Sequence, residues 1–71
     1  MNITHTVTYT PEQQNSDAEW SKVCEQAYGI AREHTSDPAT ISTVQPYDGR
    51  LWIVGYDRAD GSRGVVAVQP A

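Results

Sequence analysis

With a single cysteine, Cys24, among 71 residues, this chain cannot close an intramolecular disulfide. That removes the usual staple of small secreted domains and points to a reducing compartment. No apolar run approaches the roughly 20 residues needed to span a bilayer. Residues 1–10 alternate polar and apolar and carry neither the basic leader nor the apolar stretch of a secretory signal, so the expected location is the cytoplasm. Positive charge is scarce: five Lys and Arg stand against nine Asp and Glu, a net charge of −4. Phosphate contacts need clustered Lys and Arg, so direct nucleic-acid binding is disfavoured. There is no internal repeat, no low-complexity tract, no glycine-rich phosphate loop, and no heptad pattern long enough for a coiled coil.

Residues that could carry chemistry are equally sparse. His5, Cys24 and His34 are the soft metal-ligand candidates. Cys24 and His34 sit ten residues apart on one predicted helix, about 15 Å along its axis, too far to share an ion. Each reads better as a packed residue. Cys24 falls centrally on an apolar stripe, where a thiol is usually inert, whereas nucleophilic catalysis needs Cys24 or a serine beside a base. The segment Asp57-Arg58-Ala59-Asp60-Gly61 echoes a calcium loop but lacks the ligand spacing and the terminal Glu. The chain therefore implies no catalytic residue, no metal and no cofactor, and the expectation is a protein that is not an enzyme.

What is present is a clear pattern of elements in one small domain, residues 1–71. Ile3, His5, Val7 and Tyr9 alternate with Asn2, Thr4, Thr6, Thr8 and Thr10, a strand with one threonine-rich face, stopped by Pro11. Residues 12–15 read as polar linker. Ser16-Asp17-Ala18-Glu19 is a capping box, with Asp17 and Glu19 suited to the positive end of a helix dipole. Trp20, Val23, Cys24, Ala27, Ala31 and His34 then recur at helical spacing, and the helix is expected to end near His34 because Thr35-Ser36-Asp37-Pro38 is loop chemistry. Three strands follow, residues 39–45, 51–56 and 64–69, separated by turns at Pro46–Gly49 and Asp60-Gly61. The predicted fold is α+β: one amphipathic helix packed on a mainly antiparallel four-stranded sheet, in the order β-α-β-β-β. Where the first strand joins is open between the edge of the fourth strand and a crossover beside the second.

Two surfaces stand out. The six carboxylates Glu12, Asp17, Glu19, Glu25, Glu33 and Asp37 face only Lys22 and Arg32 across residues 1–37, whereas the remainder of the chain is neutral. The whole negative excess lies in and around the helix. It serves either as solubilising charge or as an anionic patch for a basic partner. The third strand is apolar on both faces, with Leu51 and Ile53 opposite Trp52, Val54 and Tyr56, and the fourth is similar. One helix covers only one face of a sheet. The surplus is met either by a partner or a second copy, or by sheet twist with loops and arginine stems lying over it.

With the first strand, the capped helix and the hairpin Asp48-Gly49-Arg50-Leu51-Trp52-Ile53 in view, the chain resembles small phage-encoded type I anti-CRISPR proteins. Several of these place one helix against an antiparallel sheet in the same order, and the likeness covers the architecture of most of the chain. They share no catalytic signature to carry over. The resemblance implies a non-enzymatic inhibitor in the host cytoplasm whose carboxylates take the place of DNA phosphates on a CRISPR effector complex, blocking target-DNA binding. The partner-binding candidates are Asp17, Glu19, Glu25, Glu33 and Asp37 on the acidic side, and Trp52 and Tyr56 on the sheet. The alternative is a homodimeric regulatory or structural interaction module that uses the exposed sheet face.

Overall fold

The computed structural model describes residues 3–44 and 52–71. The chain runs β1 (His5–Tyr9), α1 (Pro11–Asn15), α2 (Asp17–His34), a single 3-10 turn (Pro38–Thr40), β2 (Ser42–Val44), β3 (Ile53–Asp57) and β4 (Arg63–Pro70). The strands form one sheet in the order β1-β4-β3-β2. β2 and β3 pair antiparallel, as do β3 and β4, while β1 lies parallel to β4 with His5 opposite Val66 and Tyr9 opposite Pro70. The protein is thus an α+β fold on a mixed sheet. The parallel pairing follows from parity. α2, β2, β3 and β4 each reverse the chain, so after four reversals β4 runs the same way as β1. The predicted turn at Pro46–Gly49, with Gln45 and Leu51 beside it, lies outside the described residues.

Local chemistry accounts for most element boundaries, with two corrections. Residues 12–15 are helix, not linker. Thr10 caps them: its hydroxyl accepts from Gln13 N–H at 3.3 Å and Gln13 Oε1 accepts from Thr10 N–H at 2.8 Å. Pro11 ends β1 and also starts α1, where its missing N–H costs nothing. The second strand is shorter than residues 39–45 because Asp37 caps Ala39 N–H at 3.0 Å and turns Pro38–Thr40 into a 3-10 turn. Ser16 caps α2 by accepting from Glu19 N–H at 3.4 Å. The reciprocal half of the expected box is not made, since Ser16 N–H donates to the Gln13 carbonyl and Glu19 turns to Lys22.

The far end of α2 is tied to the sheet. Thr35 Oγ1 donates to the Asp57 carbonyl at 2.9 Å and Ser36 N–H donates to the same oxygen at 3.0 Å. With both helix ends held, α2 lays Trp20, Val23, Ala27 and Ala31 on Val7, Tyr9, Val54, Tyr56, Val66 and Val68. Ala27 and Ala31 are fully buried, and their small side chains let the helix come close to the strands. Tyr9 and Trp20 meet edge to face at 5.0 Å, a geometry that adds about 0.5–1.5 kcal/mol to burial. Tyr56 lies opposite Gly64 in the ladder, and its ring occupies the space a Gly64 side chain would take.

The outer face of the sheet carries Ile53, Gly55, Val65 and Ala67. It is less open than its composition suggests: Val65 is 8% and Ala67 4% exposed. Arg63 lies across it. The guanidinium passes over Gly55, bonding Asp57 Oδ1 at 2.6 Å and Ser42 Oγ at 2.5 Å. One arginine thus spans β4, β3 and β2, its head tying three strands. That head lies over part of the outer face, at Gly55.

Candidate functional site

Helical geometry decides how the acidic residues are arranged. The core stripe of α2 centres between Trp20 and Ala31, and at 100° per residue the opposite pole carries Lys22, Glu25, Arg32 and Glu33. Both basic residues of the helix therefore lie among its carboxylates. Lys22 Nζ pairs with Glu19 Oε1 at 3.1 Å, and Arg32 Nη2 pairs with Glu25 Oε1 at 2.5 Å. These pairs are exposed and contribute about 0–1 kcal/mol each to stability, but they neutralise the middle of the surface. Neither Asp17 nor Glu33 takes part in an ion pair among the described residues. Asp17 stands in the first turn of α2, five residues after Glu12 of α1, and Glu33 in the last turn, four residues before Asp37. Asp17 and Glu33 are sixteen residues apart, about 24 Å along the axis. The net negative charge is gathered at two poles, not spread as one stripe.

The poles differ energetically. Asp17 and Glu19 stabilise the positive end of α2, whereas Glu33 sits at the negative end, an unfavourable placement of about 0.3–1 kcal/mol. Asp37 is committed to its cap on Ala39.

On the sheet side, Trp52 is 40% exposed just ahead of β3, where its carbonyl accepts from Val68 N–H at 2.8 Å. Tyr56 must be withdrawn from the partner-binding set. It is 1% exposed, faces α2 in the core, and its hydroxyl lies 3.4 Å from Thr4 Oγ1. The alternation of β3 sets Tyr56 with Val54, and it is this face that α2 covers.

The structure also joins two residues that lie far apart in the sequence. His5 and His34 stack with ring centroids 4.7 Å apart, and His5 Nδ1 lies 3.2 Å from Thr4 Oγ1. A signal for this exists in the sequence: His34 ends the apolar stripe of α2 and His5 shares a strand face with Val7 and Tyr9. Among the described residues no three His, Cys, Asp or Glu side chains converge as metal ligands. Cys24 is half-buried beside the core. The buried side chains of the described residues are all apolar or aromatic, Tyr9 and Tyr56 included.

In the β3–β4 turn, Asp60 has a structural task. Its carboxylate accepts from the Ser62 hydroxyl and from Ser62 N–H at 2.9 Å, and Gly61 supplies the positive φ of 85°. These bonds, with Arg58 nearby, hold the Asp60 carboxyl below its ordinary pKa.

No protein-family model matches the chain, and neither the curated proteins nor the solved structures contain a match. No described helix is long and apolar enough to cross a membrane.

Proposed function

We propose that this protein is a non-enzymatic inhibitor that docks its acidic helical layer onto a basic, nucleic-acid-binding surface of another protein, a type I CRISPR effector complex being the target that its architecture suggests. The observation that carries the reading is Glu33: an exposed carboxylate, outside any ion pair among the described residues, kept at the helix end where it is least favourable. Local rules are broken most often where function demands it. Together with Asp37, and with Glu12 and Asp17 at the other end, it offers two anionic points about 24 Å apart. Such a pair can engage a Lys- and Arg-lined DNA channel at two places, and its field speeds the encounter. The protein partner is recognised without direct nucleic-acid contact, and target DNA is excluded by occupation of its channel.

A pull-down against purified type I effector complexes tests the proposal. Association is expected at low salt, weakening steeply as salt rises, with loss of target-DNA binding. Glu33→Lys is expected to weaken association more than Glu25→Lys, because Glu25 already shares its charge with Arg32. No association at low salt, or equal effects of the two reversals, rejects the two-pole reading.

A further inference from the structure

The two edges of the sheet are unlike. β2 is three residues long, and the head of Arg63 binds Ser42 on it. β1 is longer, and among the described residues no strand pairs with its outer edge. Natural edge strands are usually guarded by lysine, proline, a bulge or extreme shortness. β1, His-Thr-Val-Thr-Tyr, has none of these within its five residues.

Its outward hydrogen-bonding groups can be assigned. Ala71 N–H donates to the Tyr9 carbonyl at 2.8 Å, which places that carbonyl on the β4 side. In a parallel ladder alternate residues turn both backbone groups to the same neighbour, so His5, Val7 and Tyr9 face β4 while Thr6 and Thr8 face outward. Thr4, ahead of the strand, is held inward by its N–H and hydroxyl bonds to Val65. The free edge is therefore Thr6 to Thr8, with both threonine residues exposed.

That edge is complementary to itself. We propose that two copies of the chain pair through β1, antiparallel about a two-fold axis at Val7. Thr6 then lies opposite Thr8 of the second copy and Thr8 opposite its Thr6. Each of these pairs exchanges two N–H to C=O bonds, closing four orphan donors and four orphan acceptors with the same residues from both sides, as an isologous contact requires. On the outer face the threonine side chains become direct cross-strand neighbours, a favourable pairing. His5 faces Tyr9 of the second copy, so the seam brings no carboxylates together. The result is a continuous eight-stranded sheet with both helices on one face, and it relieves the marginal core of a 71-residue chain by association. The dimer does not depend on the inhibitor reading, and it uses the sheet edge, leaving the acidic poles free.

Salt separates the two ideas. Two like-charged helical layers on one face repel, so dimerisation strengthens as salt rises, whereas docking on a basic partner weakens. Sedimentation of the whole chain over a range of concentrations is expected to show a monomer–dimer equilibrium that shifts toward dimer in high salt. Thr6→Lys with Thr8→Lys sets like charges opposite each other across the seam and is expected to weaken the dimer about tenfold or more, with an unchanged helical spectrum. Amide exchange on the unaltered chain decides even if the double variant fails to fold: Thr6 and Thr8 amides slow with concentration if the edges pair. A monomer at every concentration in high salt overturns the proposal. So does a dimer whose Thr6 and Thr8 amides exchange equally fast when dilute and concentrated, which would put the contact elsewhere. Protection of these amides only when a different protein is added would assign the edge to a partner's strand and also overturn it.

Discussion

Glycine positions show how differently the same residue serves this fold. A β-carbon at Gly64 would overlap the Tyr56 ring, which is packed under α2. Gly64→Ala is therefore expected to destabilise the protein by about 1–3 kcal/mol or more, seen as a lower urea midpoint, because overpacking displaces a buried aromatic. Gly29 is the reverse case. It lies inside α2 with negative φ, and nothing stands within 4 Å of the position an added β-carbon would take, so no close approach explains it. Gly29→Ala is expected to stabilise by about 0.5–1 kcal/mol in the same titration. Asp60 makes a third residue-scale case, set by protonation. Its folded pKa is depressed chiefly by the Ser62 hydroxyl and then by the Ser62 N–H. Its contribution to the turn is thus complete above the ordinary carboxylate value and is lost as pH falls through the lower folded value. Carbon-detected titration of the Asp60 carboxyl should give a midpoint below 3.8, and Ser62→Ala should raise it.

Among the elements, the two helices rest on different footings. α2 buries four core residues and is pinned at its end to Asp57, so loss of its cap is felt by the whole fold. Ser16→Ala is expected to lower global stability by about 1 kcal/mol. α1 buries nothing, although its capping box is complete. Thr10→Ala should therefore loosen α1 locally, visible as faster amide exchange at Gln13, with little change in the unfolding midpoint. The Thr-Pro-Glu-Gln signal of α1 is legible in the sequence, with a threonine cap, proline at the first helical position and Gln13 three residues after the cap. Beside the alternation of β1, however, Pro11 reads only as the end of a strand.

Across the whole molecule, charge and apolar surface are sorted into layers. The helical layer holds the negative excess, while Arg58 and Arg63 on the sheet side are engaged by Ser62 and by Asp57 and Ser42. Arg63→Ala removes a head that ties three strands and lies over Gly55, together with the apolar stem that carries it. The ion pair itself accounts for no more than about 1 kcal/mol, because it is exposed. The larger expected effect is increased binding of an apolar dye to the uncovered Val65 and Ala67 face, measured against Arg63→Lys, which keeps most of the stem. If dye binding is the same for both variants, the stem is not what shields that face.

By itself the sequence determined what depends on neighbours along the chain. The alternation of β1, the Ser16 cap, the stripe of α2, the stop at Thr35 and the turn at Asp60-Gly61 rest on local dihedral preference and periodicity, which operate within a few residues. The location of the negative excess was legible for the same reason, since charge is counted without a fold. Only the tertiary structure decided the parallel seat of β1 beside β4, the stacking of His5 on His34, the burial of Tyr56 and the path of Arg63 over Gly55. These depend on which face of β3 the helix covers and on contacts between residues distant in the chain. The pairing of Glu25 with Arg32 belongs with them. Two full turns separate those residues, beyond the reach of the three- and four-residue spacings that sequence patterns reveal. That pairing is what divides the acidic layer into two poles.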